Sequence, residues 1–326
     1  MNSSEHFRRN ARNPLIFESA DISDHRGNGA MLAENKLLDG TLLAKFQPSI
    51  LIGTALIASG LFHLTLLWIT GADWSGPLSL RKPALFGVSA GVTVWSIAWV
   101  LTQFEPRHYD QRVASLLSGG LLLEVGLITL QQWRGVPSHF NRATTLDATI
   151  ESMMLGLILL VTAGIAWLCW RSRRLLPMVE SRVIAIRAGL WLLLVSCGLG
   201  LLVTIAGEMS LAKGQPPEIW GRAGVIKYPH GAALHAIQTL PLMSALLQAF
   251  RVPHAARLLR AAVAAQVLFL AHALWQTFHG RARMDLDATS FAALAAMGLL
   301  LLPPIVAIVW SAAVMARSYL TAGRSL

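Results

Sequence analysis

The chain has 326 residues, of which 54% are hydrophobic and only 13% are charged. Soluble domains carry about a quarter of their residues as Asp, Glu, Lys or Arg, so this fraction leaves too few charges to coat a water-soluble globule. The net charge is +10, but no basic run is interleaved with aromatic residues, which argues against nucleic-acid binding. Basic residues at the flanks of membrane-spanning helices, with the lipid bilayer as partner, explain the charge better.

The first 45 residues differ in composition from the rest of the chain. They hold six basic and six acidic side chains and no long apolar run. Such a segment does not bury enough apolar surface to fold by itself. It also lacks the positively charged start followed at once by an apolar core that marks a secretory signal peptide. We therefore predict a polar, disordered cytoplasmic tail over residues 1–45.

Eight apolar runs follow, and each is close to the ~20 residues that a helix needs to cross the hydrocarbon of a bilayer. Only 113–133 contains a charged residue, Glu124. Because backbone polar groups in lipid must be satisfied within their own segment, each run predicts a helix. The predicted fold is an all-α, polytopic transmembrane bundle of about eight spans over 46–318, with a short cytoplasmic tail over 319–326. Spans 1 to 8 are 46–72, 83–104, 113–133, 152–170, 188–207, 228–250, 261–279 and 288–316.

Basic residues predict the orientation of the spans. Tails and loops alternate between two sides, and the side with both tails carries 18 Lys and Arg against 9 on the other. Cytoplasmic segments are enriched in Lys and Arg, so both termini are predicted to lie in the cytoplasm. The predicted location is the bacterial cytoplasmic (inner) membrane, and the opposite side is called outer.

Matching residues at the ends of spans indicate an internal repeat. Two parallel halves of four helices would explain the matches, as in some transporters. The alternative is local, since proline is common at helix starts. The matches are Lys82-Pro83 with Lys227 and Pro229 at the openings of spans 2 and 6, and Gln132-Trp133-Arg134-Gly135 with Gln276, His279, Gly280 and Arg281 at the ends of spans 3 and 7.

Ionisable residues inside the spans fall at one depth. His63, Glu124, His235 and His272 each lie six to eight residues from the outer end of a span, which at 1.5 Å per residue is roughly 10 Å below one surface. Ionisable groups in a span are costly, normally face the bundle interior and indicate function. We therefore predict one shared polar site, although each residue alone is also explained by hydrogen-bonded packing.

Two kinds of cofactor site fit these residues. His235 and His272 are predicted to face each other and could hold a b-type haem, with Gln238 and Gln276 orienting the imidazoles. Alternatively, His63, Glu124, His235 and His272 could bind a transition metal, because imidazole and carboxylate suit Fe, Cu or Zn. Either site predicts a redox membrane protein, with a quinone or another small molecule as substrate.

Polar residues near the outer ends of the spans suggest a second class of function. In a proton-coupled transporter, Glu124 and the histidines would relay protons while Arg81 or Arg134 meets an anionic substrate. A simpler interpretation is that Arg81, Lys82 and Lys227 extend to the lipid headgroups. A non-catalytic assembly or sensor protein is a third alternative, and whether the chain is an enzyme stays open. The outer-mouth residues are Arg81, Lys82, Gln131, Arg134, His139, Asn141, Glu208, Lys227, His230 and His279.

Two short motifs carry a resemblance to a known family. They are Ser138-His139-Phe140-Asn141 with Asp147, and His235-x-x-Gln238-x-Leu240-Pro241. With these motifs the chain, from about residue 52 to 302, resembles an uncharacterised family of bacterial polytopic membrane proteins. The resemblance implies bacterial origin and a polar site. It transfers no catalytic role, because no activity is established for that family.

Overall fold

The computed structural model describes residues 44–76, 78–217 and 223–322. These residues form helices and connecting loops, with a single isolated β-bridge between Phe104 and Leu175. The predicted all-α class is therefore confirmed for the described part of the chain. In chain order the helices are α1 Gln47–Thr70, α2 Arg81–Thr102, α3 Asp110–Trp133, α4 Thr145–Arg171, α5 Glu180–Ala212, α6 Lys227–Leu234, α7 Ala236–Ala249, α8 Ala255–Phe278 and α9 Ala288–Ala322.

Seven of these helices are long and apolar enough to cross a membrane, which is compatible with a multi-pass membrane protein. The predicted span 228–250 is instead divided into α6 and α7, which meet at His235. Pro241 inside α7 has no backbone N–H, so the carbonyl of Ile237, one turn earlier, lacks its usual helical donor. Most of the predicted tail 1–45 lies outside the described residues. At the other end, α9 extends to Ala322, beyond the predicted limit of 318.

Helices α1 and α2 cross closely because glycines face each other at the contact. A Cβ atom added to Gly87 would lie 2.8 Å from Cα of Gly60, and one added to Gly91 would lie 2.5 Å from the carbonyl oxygen of Gly53. Small residues at such positions let two helix backbones approach in lipid, where dispersion contacts replace the hydrophobic effect as the source of packing energy. The close packing of α1 against α2 therefore fixes the position of the start of α2 and of the residues there.

Loops that the sequence assigns to the same side meet at the same end of the bundle. At one end, here called the mouth, Arg142 pairs with Glu208, and the N–H of Gly224 donates to the carbonyl of Arg281 at 3.1 Å. At the opposite end, Leu176 N donates to the carbonyl of Gln103 at 2.9 Å. The loops after α1, α3, α5 and α8 thus belong to the mouth.

The helices of the two halves of the chain begin and end at corresponding positions. The bounds of α8 lie 145 residues after those of α3, from 110 to 255 and from 133 to 278. The turns that follow also correspond: Gly135 and Gly280 have φ of 69° and 64°. Their hydrogen bonds match as well, from Val136 N to Gln131 O at 3.1 Å and from Arg281 N to Gln276 O at 2.9 Å. This agreement supports an internal repeat over a purely local origin of the sequence matches.

Candidate functional site

Charged and polar side chains from four segments meet at the mouth. We call this group the lysine–histidine cluster; its members are Lys82, Glu124, Ser138, His139 and Lys227. The ammonium of Lys82 lies 3.2 Å from Nδ1 of His139, and Ser138 Oγ lies 3.2 Å from the same nitrogen. Nε2 of His139 lies 4.0 Å from Oε1 of Glu124. Because an ammonium only donates, Nδ1 accepts and Nε2 carries the proton toward the carboxylate.

Each lysine of the cluster stands in the first turn of a helix. Lys82 is the second residue of α2 and Lys227 is the first of α6. The charge of Lys227 acts on both Lys82 and His139, so Lys227 lies near this group. An ammonium near the positive end of a helix dipole gains nothing from that dipole. The helix dipole therefore does not explain why both lysines stand at these starts.

The loop between α3 and α4 positions His139. Its next residue, Phe140, has φ of 59°, an uncommon conformation for an aromatic residue. The backbone N–H of Phe140 donates to Oε1 of Glu151 at 2.7 Å. Its ring lies against Gly207 of α5, where an added Cβ would come within 2.3 Å of the ring. The strained residue is thus held by a carboxylate and a glycine, and this fixes the imidazole beside it.

Burial determines the charge of His139 and isolates the carboxylate of Glu124. Burial, followed by the charges of Lys82 and Lys227, holds the pKa of His139 well below its usual range, so the ring is neutral near pH 7. Glu124 is 6% exposed, and its Oε2 is buried without a hydrogen-bond partner among the described residues. Lys82 is the charged neighbour that acts on this carboxylate.

More basic residues surround this mouth. Arg81 is 9% exposed, and the charges of Arg283 and Asp73 act on it. Hydrogen bonds from the backbone and hydroxyl of Ser75 lower the pKa of Asp73, so this carboxylate stays ionised. Basic and acidic side chains are thus interspersed at the mouth, where Asp73 offsets part of the positive charge of Arg81.

His63 lies outside the cluster and has a complete set of hydrogen bonds. Trp133 Nε1 donates to Nε2 of His63 at 3.0 Å, while Nδ1 of His63 lies 2.7 Å from the carbonyl of Ser59. The indole can only donate, so the proton of His63 is on Nδ1. With both nitrogens engaged, His63 joins the end of α3 to α1 and has no lone pair left for a metal.

His235 and Gln238 lie deeper, at the break between α6 and α7. Nδ1 of His235 lies 3.3 Å from Oε1 of Gln238. The amide nitrogen of Gln238 lies 3.4 Å from Oγ1 of Thr93 on α2. His235 is exposed, whereas Thr93 is buried. These three residues connect α2 with α6 and α7.

His272 and Gln276 form a separate polar group between α8 and α9. The amide nitrogen of Gln276 lies 3.3 Å from Nε2 of His272 and 3.2 Å from Oγ of Ser290. His272 also stacks on Trp275, with ring centroids 6.2 Å apart. Among the residues that the structure describes, His272 has no hydrogen bond or ring contact with His235. The predicted pair of facing axial ligands is therefore not supported.

The predicted four-residue metal site is not supported either. In the ranges 44–76, 78–217 and 223–322, no group of three or more His, Cys, Asp or Glu side chains could hold a metal ion. Equal depth in the bilayer did not bring these four residues together, and Glu124 instead lies beside the loop residue His139. The other three predicted ligands have partners of their own, because side chains at one depth still point in different directions around their helices.

Several outer-mouth residues support the loop instead of lining the site. Asp147 accepts hydrogen bonds from Arg134 at 2.8 Å and from Gln131 at 3.1 Å. Asn141 closes the loop on itself, since its amide donates to the carbonyl of Pro137 at 3.2 Å. Glu208 lies 3.4 Å from Arg142, so it ties the same loop to α5. These residues hold His139 in place from outside.

The two remaining outer-mouth histidines bind backbone carbonyls. Nδ1 of His230 lies 2.8 Å from the carbonyl of Ser196 on α5. Nδ1 of His279 lies 2.8 Å from the carbonyl of Trp275, in its own helix. Both imidazoles are thus in structural contacts, and neither belongs to the cluster.

Sequence reasoning missed the parts played by Thr93, Ser196 and Trp133. A threonine or serine in a span usually bonds its own helix, as Thr93 also does with the carbonyl of Ser89 at 2.8 Å. Trp133 matched the aromatic belt at the membrane surface, so a hydrogen bond to His63 was not anticipated. For these residues the linear sequence contains no signal of the partner.

No protein-family model, no curated protein and no solved structure matches the chain. The resemblance of its two motifs to an uncharacterised bacterial family therefore stays a prediction. The function has to be argued from the lysine–histidine cluster and its surroundings.

Proposed function

We propose that this chain is a proton-coupled carrier for a small anion, a carboxylate or a phosphate, in the bacterial inner membrane. The observation that carries the proposal is the contact of Lys82 with His139 beside a second lysine, Lys227, and the buried carboxylate of Glu124. In this cluster the two lysines attract an anion, and the carboxylate of Glu124 can take up a proton. Ionisable residues of both kinds inside a bundle mark ion and proton pathways.

The proposed topology has eight crossings with both ends in the cytoplasm. Helices α6 and α7 together cover residues 227–249, a length of about 34 Å at 1.5 Å per residue. The hydrocarbon layer is about 30 Å thick, so the broken pair is long enough to cross once. Counting it with the seven long helices gives an even number of crossings, in agreement with the loops that meet at the mouth.

Reporter fusions test this topology. Alkaline phosphatase, which is active only outside the cytoplasm, is expected to be active when inserted after Gly214 and inactive after Leu326. A fluorescent protein that folds only in the cytoplasm is expected to give the opposite pattern. Alkaline phosphatase activity at both positions would contradict the even number of crossings.

Binding of an anion and binding of a proton are coupled by charge in this site. With Lys82 and Lys227 charged, an ionised Glu124 offsets one positive charge. An entering anion takes over that role and makes a second negative charge unfavourable, which favours the protonated carboxyl of Glu124. The carrier is therefore expected to take up about one proton with each anion.

Ligand binding is tested on the full chain purified in detergent. We expect acetate, succinate or inorganic phosphate to raise the thermal midpoint in a concentration-dependent way. Lys82→Ala or Lys227→Ala is expected to weaken this binding by about tenfold or more, since each removes a charged hydrogen-bond donor. Lys213→Ala, which removes an exposed lysine at the same end, is the matched control and should bind as the wild type does.

Proton coupling is tested in liposomes that contain the protein and a pH-sensitive dye. The wild type is expected to acidify the lumen when the anion enters. The conditions are chosen so that the neutral acid does not carry protons across the bilayer by itself. Glu124→Gln keeps a neutral group of similar shape and should bind the anion without proton movement. Equal binding in Lys82→Ala, Lys227→Ala and wild type would overturn the anion site, and unchanged proton movement in Glu124→Gln would overturn the coupling.

A further inference from the structure

Helices α2 and α6 start at the mouth and run in the same direction across the membrane. Lys82 and Lys227 stand at these starts, 145 residues apart. Thr93 and Gln238, also 145 residues apart, are within 3.4 Å of each other deeper in the bundle. Each of these deeper residues follows its lysine by eleven positions, which is about 16 Å along a helix. Matching positions of the two halves thus meet at the contact of Thr93 with Gln238.

This arrangement is typical of parallel repeats related by an axis along the membrane normal. Corresponding residues of two such halves meet where the axis passes between them. Here Thr93 and Gln238 are such a pair, and the charge of Lys227 acts on Lys82, so the axis passes through the contact of α2 with α7. We call this contact the seam. In transporters built from repeats, the ligand site lies at the interface of the halves, near the bilayer midplane.

The polar residues at the deep end of the seam are difficult to explain as packing alone. His235 is exposed, and because its Nδ1 bonds Gln238, contact with hydrocarbon would leave Nε2 unsatisfied. A water-filled crevice at this point removes that cost. The helix is also interrupted there, since α6 ends at Leu234 and α7 begins at Ala236. Irregular backbone at membrane depth is tolerated where it is buried in protein or lines a cavity.

We propose that the seam is the path of the anion and that Thr93, His235 and Gln238 form a second binding station, which starts about 12 Å along the helix from the lysines at His235 and reaches about 16 Å at Thr93 and Gln238. This inference rests on the proposed carrier function and adds a route to it. The upper station offers the two lysines, whereas the lower one offers the N–H of the Gln238 amide that Thr93 does not use. The Thr93 hydroxyl donates to the carbonyl of Ser89 at 2.8 Å and holds this amide in place. A weaker, neutral donor at the lower station allows the anion to leave it again.

The hydrogen bonds of the lower station give His235 a defined role. Oε1 of Gln238 accepts from Nδ1 of His235 at 3.3 Å, so the lone pair of the neutral ring is on Nε2. Nε2 is therefore the nitrogen that His235 presents to water or to a ligand in the seam.

Access of water to the seam is tested by cysteine labelling of the full chain in liposomes. Cys169 and Cys197 are first replaced by alanine. A charged methanethiosulfonate reagent, which reacts with the thiolate and so needs water, is expected to label His235→Cys. Leu242→Cys is the matched control, because Leu242 is 60% exposed on the same broken helix and should face lipid, where the reagent does not react. Labelling of His235→Cys should slow when acetate or phosphate is present.

Transport along the seam is tested with Gln238→Leu and Thr93→Val in the same liposomes. Uptake of labelled acetate or phosphate is expected to fall about tenfold in each, while binding at equilibrium to the lysines changes less than threefold. Thr65→Val removes an exposed hydroxyl that bonds only its own helix and is expected to transport normally.

The outcomes separate this inference from the carrier function. If anions bind the wild type and depend on Lys82 and Lys227, the upper station stands. An unlabelled His235→Cys together with normal uptake by Gln238→Leu would then overturn the seam alone. If the wild type neither binds nor takes up acetate, succinate or inorganic phosphate, the proposed carrier function is wrong, and the proposed path along the seam is wrong with it.

Discussion

The indole nitrogen of Trp133 donates a hydrogen bond of 3.0 Å to Nε2 of His63, which links the last residue of α3 to α1. The same imidazole bonds the carbonyl of Ser59, one turn earlier in its own helix. His63 is 3% exposed, so no solvent replaces a partner that is lost. This pair is therefore a structural join between two helices at the mouth.

Trp133→Phe is expected to lower the stability of the protein by about 1–3 kcal/mol, because it leaves a buried acceptor on His63 without a partner. The measurement is thermal unfolding of the purified chain in detergent. Trp68→Phe is the control, since Trp68 is 83% exposed on α1 and its change should be small. Equal midpoints for Trp133→Phe and the wild type would show that the hydrogen bond does not contribute.

The titration of His139 predicts how stability depends on pH. Burial and the nearby lysines keep its pKa well below the ordinary 6.5 in the folded protein. Below about pH 6.5 the unfolded chain therefore binds a proton that the folded chain does not. Stability is expected to fall with falling pH in this range, by at most about 1.4 kcal/mol per pH unit, until the folded ring also protonates.

His139→Gln removes the titrating group and should flatten this part of the pH dependence. Thermal midpoints of both proteins, measured from about pH 5 to pH 8, give the comparison. His279→Gln is a useful control, because that imidazole is exposed and bonds its own helix. A slope that is the same in the wild type and in His139→Gln would assign the dependence to another group.

The close crossing of α1 and α2 predicts sensitivity to one methyl group. Gly87→Ala places a Cβ atom 2.8 Å from the backbone of Gly60, and the helices must move apart. The expected loss of stability is about 1–3 kcal/mol, again measured by thermal unfolding. Gly126→Ala on α3 is the control, because a Cβ there meets open space. Destabilisation by Gly126→Ala of the same size would refute the argument from packing.

An ion pair at the end opposite the mouth is buried on both sides. Arg171 and Asp110 are 2% and 6% exposed in their side chains, and the guanidinium also lies over the ring of Phe104. Asp110→Asn is expected to cost about 3–5 kcal/mol, because it leaves a buried positive charge without its partner. Combining it with Arg171→Met should recover much of the loss.

The exposed pair of Glu180 with Arg260 provides the control for this prediction. Its side chains are 62% and 59% exposed, so Glu180→Gln should change stability by less than about 1 kcal/mol. Thermal unfolding of the single and double variants measures the coupling. A double variant as unstable as Asp110→Asn alone would mean that the unpaired charge is not the cause.

Much of the fold could be predicted from runs of apolar residues. The charge-free stretches around His63 and His272 predicted helices that the structure contains. The polar break at His235 was not predicted, because the run 228–250 is continuous in composition. Where a helix must be interrupted depends on its neighbours, and only Pro241 hinted at an irregularity.

The candidate site was predicted in part. The motif with His139, the two lysines at the starts of spans 2 and 6, and Glu124 were all singled out from the sequence. Their meeting in one cluster was not foreseen, since Glu124 was grouped with the histidines at its own depth. Depth follows from counting residues, but contact also requires two helices to turn the right faces toward each other.

The sequence by itself determined that this chain is helical and roughly where most of its helices lie, because hydrocarbon requires long, uncharged, internally bonded segments. Only the tertiary structure decided which polar residues meet. In a membrane, the surface of a helix that faces lipid is as apolar as the surface that faces its neighbours, so no amphipathic pattern reports its rotation. The partners of Glu124 and His63 therefore emerged only from the packed bundle.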